Sequence, residues 1–172
     1  PISGAMRGRL DDDGVLTGVS ATLQIGEGEL QPTSATRPVP FQSAQTYLTY
    51  DPVAEALTFD LIEIDSAFGR VSGTGQTYLR DFTDSWPEVM LGQITLTDVD
   101  VTAAEYLSQP VSVGSLDVDF RLRLNPFTLD VGQAVLVTDD VPLHVSGQVR
   151  AALDGWAVSM DAEAAAASTD TV

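Results

Sequence analysis

Between Ser115 and Val137 the chain reads SLDVDFRLRLNPFTLDVGQAVLV, and its first half alternates without a break. Leu116, Val118, Phe120, Leu122 and Leu124 are interleaved with Asp117, Asp119, Arg121 and Arg123. A period of two puts every apolar side chain on one side of an extended strand and every charge on the other, so the stretch predicts a half-wet β-strand. After Asn125-Pro126 the alternation resumes as Phe127, Leu129 and Val131 against Thr128 and Asp130. A tight hairpin at that break pairs Leu124 with Phe127, Leu122 with Leu129 and Phe120 with Val131. It also sets Arg121 opposite Asp130, a cross-strand pair of opposite sign. Proline second in a two-residue loop departs from the usual hairpin chemistry, which leaves this register open.

The same period runs through the rest of the chain. Ile2, Met6 and Leu10 share a face with Gly4 and Gly8 between them, and Asp11-Asp12-Asp13-Gly14 is a turn whose glycine suits positive φ. Val19, Ala21, Leu23 and Ile25 follow against Ser20, Thr22 and Gln24. Glu27 to Pro40, with Gly28 and three prolines, reads as a loop or edge excursion. Ser43 to Tyr50 is the next strand, and Asp51-Pro52 turns it back into LTFDLIEID. There the apolar phase switches from Leu57, Phe59 and Leu61 to Ile62 and Ile64, which predicts a β-bulge or two covered faces. Val71, Gly73, Gly75, Thr77 and Leu79 keep one phase, the glycines allowing a bend or a close backbone approach. Arg80 to Glu88 is expected to be the main irregular connection, with Trp86-Pro87 folded back as an anchor. Ile94 and Leu96 alternate with Thr95 and Thr97, and Ala103 to Pro110 suits one helical turn ended by Pro110. Leu143, Val145, Gly147, Val149 and Ala151 lead to a hairpin turn at Asp154-Gly155, and Trp156, Val158, Met160 and Ala162 return from it.

The expectation is therefore all-β: a curved antiparallel meander of about ten strands, forming an open groove or a β-sandwich-like sheet. One domain fills residues 1–163, and 164–172 is a small, polar, flexible tail. A loose internal recurrence links GAMRGRLDDDGVLTGVSATL with SGQVRAALDGWAVSMDAEA, as a meander of stacked hairpins would. Eight basic against 25 acidic residues give a formal charge of −17. That sign repels phosphate backbones and anionic headgroups and argues against nucleic acid as a partner. The absence of cysteine removes disulfides and thiolate metal sites. The chain opens in mid-pattern at Pro1, which suggests a piece of a longer protein whose export signal or anchor lies elsewhere.

GVSATLQIGEGEL, PVPFQSAQTYLTYDP, LTFDLIEIDSAFGRVSGTGQ and PFTLDVGQAVL, the last leading to HVSGQV and DGW, follow one another in an order that resembles the AsmA-like superfamily, in particular its YhdP-type branch from the Gram-negative envelope. The resemblance covers roughly Ile2 to Ala164, and its motifs are turns and strand ends rather than catalytic signatures. It implies a periplasmic protein held at the inner membrane by a segment outside this sequence. It also implies a taco-like β-sheet whose apolar groove carries phospholipid between membranes. The groove residues it suggests here are Val118, Phe120, Leu122, Leu124, Phe127, Leu129 and Val131. Their contribution would be dispersion contact and water exclusion along acyl chains, with no chemical step and no cofactor. The expected partners are phospholipid, the rest of the same longer chain, and a second copy met through the sheet edges.

The residues offer little chemistry of another kind. His144, the only histidine, alternates to the wet face and lacks a G-x-S-x-G elbow or a supporting partner, so it reads as a solvated side chain. Asp11-Asp12-Asp13, Asp98 with Asp100, Asp117 with Asp119, and Asp139-Asp140 are oxygen ligands that suit calcium, but none forms an EF-hand loop. Gly73-Thr74-Gly75 lacks the lysine and helix of a phosphate loop. Two rival readings remain: an extracellular or periplasmic β-sandwich adhesion module stabilised by calcium, and a carbohydrate-active β-protein with Trp86 and Trp156 as sugar platforms.

Overall fold

The computed structural model describes residues 1–101, 111–138, 141–153 and 155–164. Among them every regular element is a strand: β1 (Ile2–Leu10), β2 (Leu16–Ile25), β3 (Gly28–Leu30), β4 (Val39–Asp51), β5 (Ala56–Ser66), β6 (Gly69–Thr83), β7 (Trp86–Val101), β8 (Val111–Arg123), β9 (Thr128–Thr138), β10 (Val141–Ala152) and β11 (Gly155–Ala164). They form one antiparallel sheet in the order β1-β2-β4-β5-β6-β7-β8-β9-β10-β11, with the short β3 pairing β4 beside that path. The sheet is an open meander whose edges are β1 and β11. Among the described residues, no strand packs face to face on another and no helix covers the sheet.

The turns follow the local chemistry. Gly14 takes a φ of 79°, and the Asp11 carboxylate accepts hydrogen bonds from the Asp13 and Val15 amides at 3.1 and 2.8 Å. Asp51 closes the β4–β5 turn in the same manner, accepting from the Val53 and Ala54 amides at 2.8 and 3.0 Å. The phase switch in LTFDLIEID is a bulge: Phe59 pairs Leu48 while Leu61 pairs Tyr47, so Asp60 is the extra residue. It lets Leu57 and Phe59 share a face with Ile62 and Ile64. At the centre, Leu122 pairs Leu129, Phe120 pairs Val131 and Arg121 pairs Asp130, the register read from the alternation. The turn Leu124–Phe127 carries a cis Asn125-Pro126 peptide, the arrangement that seats proline third in a four-residue turn.

Three expectations are corrected. Arg80 to Glu88 is no irregular connection: β6 runs to Thr83, β7 begins at Trp86, and Thr83 pairs Trp86. Asp84 and Ser85 between them have φ of 50° and 69°, the two positive values of a type I′ hairpin turn. Trp86 is 77% exposed and anchors nothing. The excursion from Glu27 to Pro40 contains the strand β3. The helical turn read at Ala103 to Pro110, the Asp139-Asp140 pair, Asp154 and the tail from 165 onward lie outside the described residues, whereas Ala164 still pairs Leu143.

The sheet does not stay flat. The Trp156 indole N–H in β11 donates to the Arg37 carbonyl, at 2.7 Å, in the segment joining β3 to β4. Seven interstrand steps separate β4 from β11. Laid flat, seven steps of roughly 4.8 Å would hold them roughly 34 Å apart, so the sheet must bend on itself to make this contact. Trp156 pairs Ala151 on the apolar side of the sheet, so the curl is towards that side.

Candidate functional site: an uncovered apolar face

Cross-strand partners point to the same side of a sheet, so the printed register assigns each face. Met6, Ala21, Leu48, Phe59, Gly75, Ile94, Val118, Ala134, Val145 and Ala162 form one continuous line across all ten strands of the path. The next line runs Gly8, Val19, Tyr50, Leu57, Thr77, Gly92, Phe120, Val131, Gly147 and Met160. On the other flank lie Gly4, Leu23, Thr46, Ile62, Gly73, Leu96 and Leu116. No charged residue occurs in the three lines. Their two threonines turn their hydroxyls to the backbone, Thr46 donating to the Leu61 carbonyl at 2.8 Å and Thr77 to the Leu91 carbonyl at 3.1 Å. Methyl groups are what they present.

The interleaved line on the other face is Arg7, Ser20, Thr49, Thr58, Gln76, Gln93, Asp119 and Gln133, polar throughout. Polar pairing continues along that face: Thr95 donates to Asp117 at 2.7 Å, Gln148 to Asp130, and Arg70 to Asp65 at 2.7 Å. The hydrogen bond to Asp65, reinforced by its charge, raises the Arg70 pKa above its ordinary value. A surface hollow lies here too, between Arg7, Ser20, Thr49 and Asp60.

Glycine is the device that lets the apolar face curl inward. Gly4, Gly8, Gly73, Gly75, Gly92 and Gly147 all lie in the three apolar lines, and several are crossed by a large neighbour. A Cβ on Gly73 would lie 2.6 Å from the Thr95 carbonyl oxygen and 3.0 Å from Leu96 Cδ2. One on Gly147 would overlap Met160 Sδ and the Ser159 carbonyl oxygen. Concave bending crowds side chains on the inner face, and a hydrogen there makes room for the facing residue.

The result is a folded chain with very little conventional core. Among the described residues only Ala56, Leu79, Val89 and Ala134 are buried apolar side chains. The chain exposes 11582 Å². A compact monomer of 18.2 kDa is expected to expose about 8,100 Å². The middle strands hold their apolar side chains half-buried against neighbours, whereas the edge strands leave Ile2 at 73%, Met6 at 80% and Val158 at 63% exposure.

Five of the seven groove residues read from the sequence, Val118, Phe120, Leu122, Leu129 and Val131, lie on this face by register. Leu124 and Phe127 sit in the hairpin turn at its rim. Leu124 is 43% exposed, and the Phe127 ring stands edge-on to Trp156 with centroids 5.8 Å apart. What the sequence reading missed is the contact where Trp156, Phe127 and the Arg37 segment meet. In that segment Thr36 is 2% exposed, its hydroxyl donating to the Thr33 carbonyl at 2.7 Å.

His144 is exposed on the polar face near Gln133, in a hollow shared with Ser146, Asp161 and Glu163. Asp98 occupies a positive-φ position, φ 52°, at an irregularity in β7. No three His, Asp or Glu side chains among the described residues gather closely enough to hold a metal ion. Compared with known proteins, the chain matches no family model, no curated protein and no solved structure.

Proposed function

We propose that this chain is a lipid-carrying β-groove segment of an AsmA-like envelope protein, working in the periplasm. Its apolar face holds phospholipid acyl chains during transport towards the outer membrane, by contact and water exclusion, with no reaction catalysed. The observation that carries this reading is the uncharged face continuous over ten strands, bent upon itself and, among the described residues, filled by no second layer. Ten strands at roughly 4.8 Å spacing span roughly 43 Å, against roughly 15 Å for the hydrocarbon depth of one membrane leaflet. Burying each methylene of an acyl chain contributes about 0.8 kcal/mol, so partial occupancy of such a face suffices for stable binding.

The test is native mass spectrometry of the purified chain, with organic extraction of bound material. Near-stoichiometric phospholipid is expected. Its loss is expected in a Leu122→Asp/Leu129→Asp variant whose strand content is unchanged by circular dichroism. A lipid-free protein that ignores added phospholipid vesicles would sink the proposal and return attention to the calcium-stabilised module, for which chelation must lower Tm.

A further inference from the structure

Residues 28–41 stand out from the meander as an arm with its own construction. Strand β3 and the start of β4 pair as a short hairpin, Gly28 with Phe41, Glu29 with Pro40 and Leu30 with Val39. Among the described residues β4 pairs β5 only from Phe41 onward, so Val39 and Pro40 pair with β3 alone. Both legs of the arm lose their regularity at one level, between the pairs Ile25–Ala44 and Gly28–Phe41. Gly26-Glu27 interrupts the leg that runs from β2 into β3. On the other leg Phe41 pairs Ser66 and Ser43 pairs Asp65, which leaves Gln42 as an extra residue. Two interruptions side by side make a hinge line, because a few backbone angles suffice to swing all that lies beyond them.

Beyond the hinge the arm is stiff. The Phe41 ring lies over Gly28, where an added Cβ would come within 2.7 Å of Phe41 Cζ. In the loop at the tip, the buried Thr36 hydroxyl donates to the Thr33 carbonyl at 2.7 Å. The Gln31 side-chain amide donates to the Thr36 carbonyl at 2.9 Å. Among the described residues one hydrogen bond ties this tip to β11, from the Trp156 indole to the Arg37 carbonyl at 2.7 Å. Trp156 lies on the apolar side, edge-on to Phe127 at the rim. The tip therefore reaches the apolar side of the sheet from the far end of β4. A stiff arm, hinged at its base and held at its tip by one donor, can leave its seat without disturbing the ladders of the sheet.

We propose that residues 28–41 are a strap across the groove. The Trp156–Arg37 bond holds the strap shut, and it swings on Gly26-Glu27 and Gln42 to admit an acyl chain to the apolar face. The proposal rests on the reading of that face as a lipid groove. Opening breaks one hydrogen bond and leaves Ala44 to Tyr50 paired with both β2 and β5. The open state is a minor population, and uptake runs through it. Closure then keeps water from a chain already bound, and the strap sets the rate of entry rather than the affinity of the face.

The sequence contains no cysteine, so Ala35→Cys with Ala157→Cys introduces a single thiol pair, close in sequence to the two ends of the latch. Joining the pair with a flexible bismaleimide fixes the strap shut, whereas capping both thiols with N-ethylmaleimide leaves it free. The readout is uptake of pyrene-labelled phosphatidylcholine from vesicles, with circular dichroism confirming that each form is folded. The capped protein should fill as wild type does, and the joined protein should show no uptake above vesicles alone. Lipid loaded before joining should be retained. Trp156→Phe should fill about 2- to 12-fold faster than wild type, the range that one net hydrogen bond commands. In that variant amide exchange should quicken across residues 28–41 as one block while Thr46 to Tyr50 keep their rates. A joined protein that fills as fast as the capped one overturns the strap and leaves the groove reading standing. No uptake by wild type or any variant overturns both.

Discussion

If close-packed glycines on the apolar face allow the sheet to curl, filling one should cost stability where filling an uncrowded glycine does not. Gly75 in β6 is the sharpest case. A Cβ there would overlap the Gln93 carbonyl oxygen and lie 2.8 Å from Ile94 Cγ1 and 2.9 Å from Ile94 Cα. Two of those three atoms are backbone, so strands β6 and β7 must move apart or flatten. Overpacking of this kind costs about 1–3 kcal/mol. Replacing glycine by alanine also restricts the unfolded chain, which stabilises by about 0.4–1 kcal/mol where the native conformation permits. The net expectation for Gly75→Ala is a loss of about 1–2 kcal/mol, or roughly 2–8 °C in Tm for a domain of this size. Gly114 in β8 is the matched control, because a Cβ there has no heavy atom within 4 Å. Gly114→Ala keeps only the unfolded-state term and should be neutral or slightly stabilising. Urea unfolding of the two variants beside wild type, fitted for midpoint and slope, makes the comparison. A Gly75→Ala midpoint at or above that of Gly114→Ala would refute the argument that close packing on the inner face requires glycine.

Two further outcomes test how the sheet is set. Trp156→Phe removes the donor to the Arg37 carbonyl while keeping a ring beside Phe127; about 1 kcal/mol is expected to go. In a Trp86→Phe background, a Trp156 emission maximum that shifts red well before global unfolding would mark the end closure as the first part to open. Deleting Asp60 removes the extra residue, so Leu57, Phe59, Ile62 and Ile64 alternate regularly on the apolar face with their partners unchanged, and a cooperative fold is expected to persist. Loss of the cooperative transition in that variant would contradict the assigned register.

Much of the sheet was legible in the alternation because facing is a local property. Once Leu122 is known to point one way, Phe120 and Leu116 must follow, and the double apolar step at Leu61-Ile62 leaves a bulge as its simplest account. The hairpin at Asp84-Ser85 was missed for an equally local reason. It uses positive φ at two residues without glycine, so the usual signal of a type I′ turn is absent, and the nearby Trp86-Pro87 drew attention to the wrong residues. Leu124 and Phe127 continued the alternation on paper, but the four-residue turn takes them to the rim.

The sequence alone determined that the chain is a β-meander with one uncharged face, since residue spacing sets side-chain direction within each strand. Only the tertiary structure decided that, among the described residues, no second sheet covers this face, and that β11 meets the segment before β4 through Trp156 and Arg37, 119 residues apart. That outcome depends on small bends added over seven strand pairings, and no single stretch of sequence carries the sum.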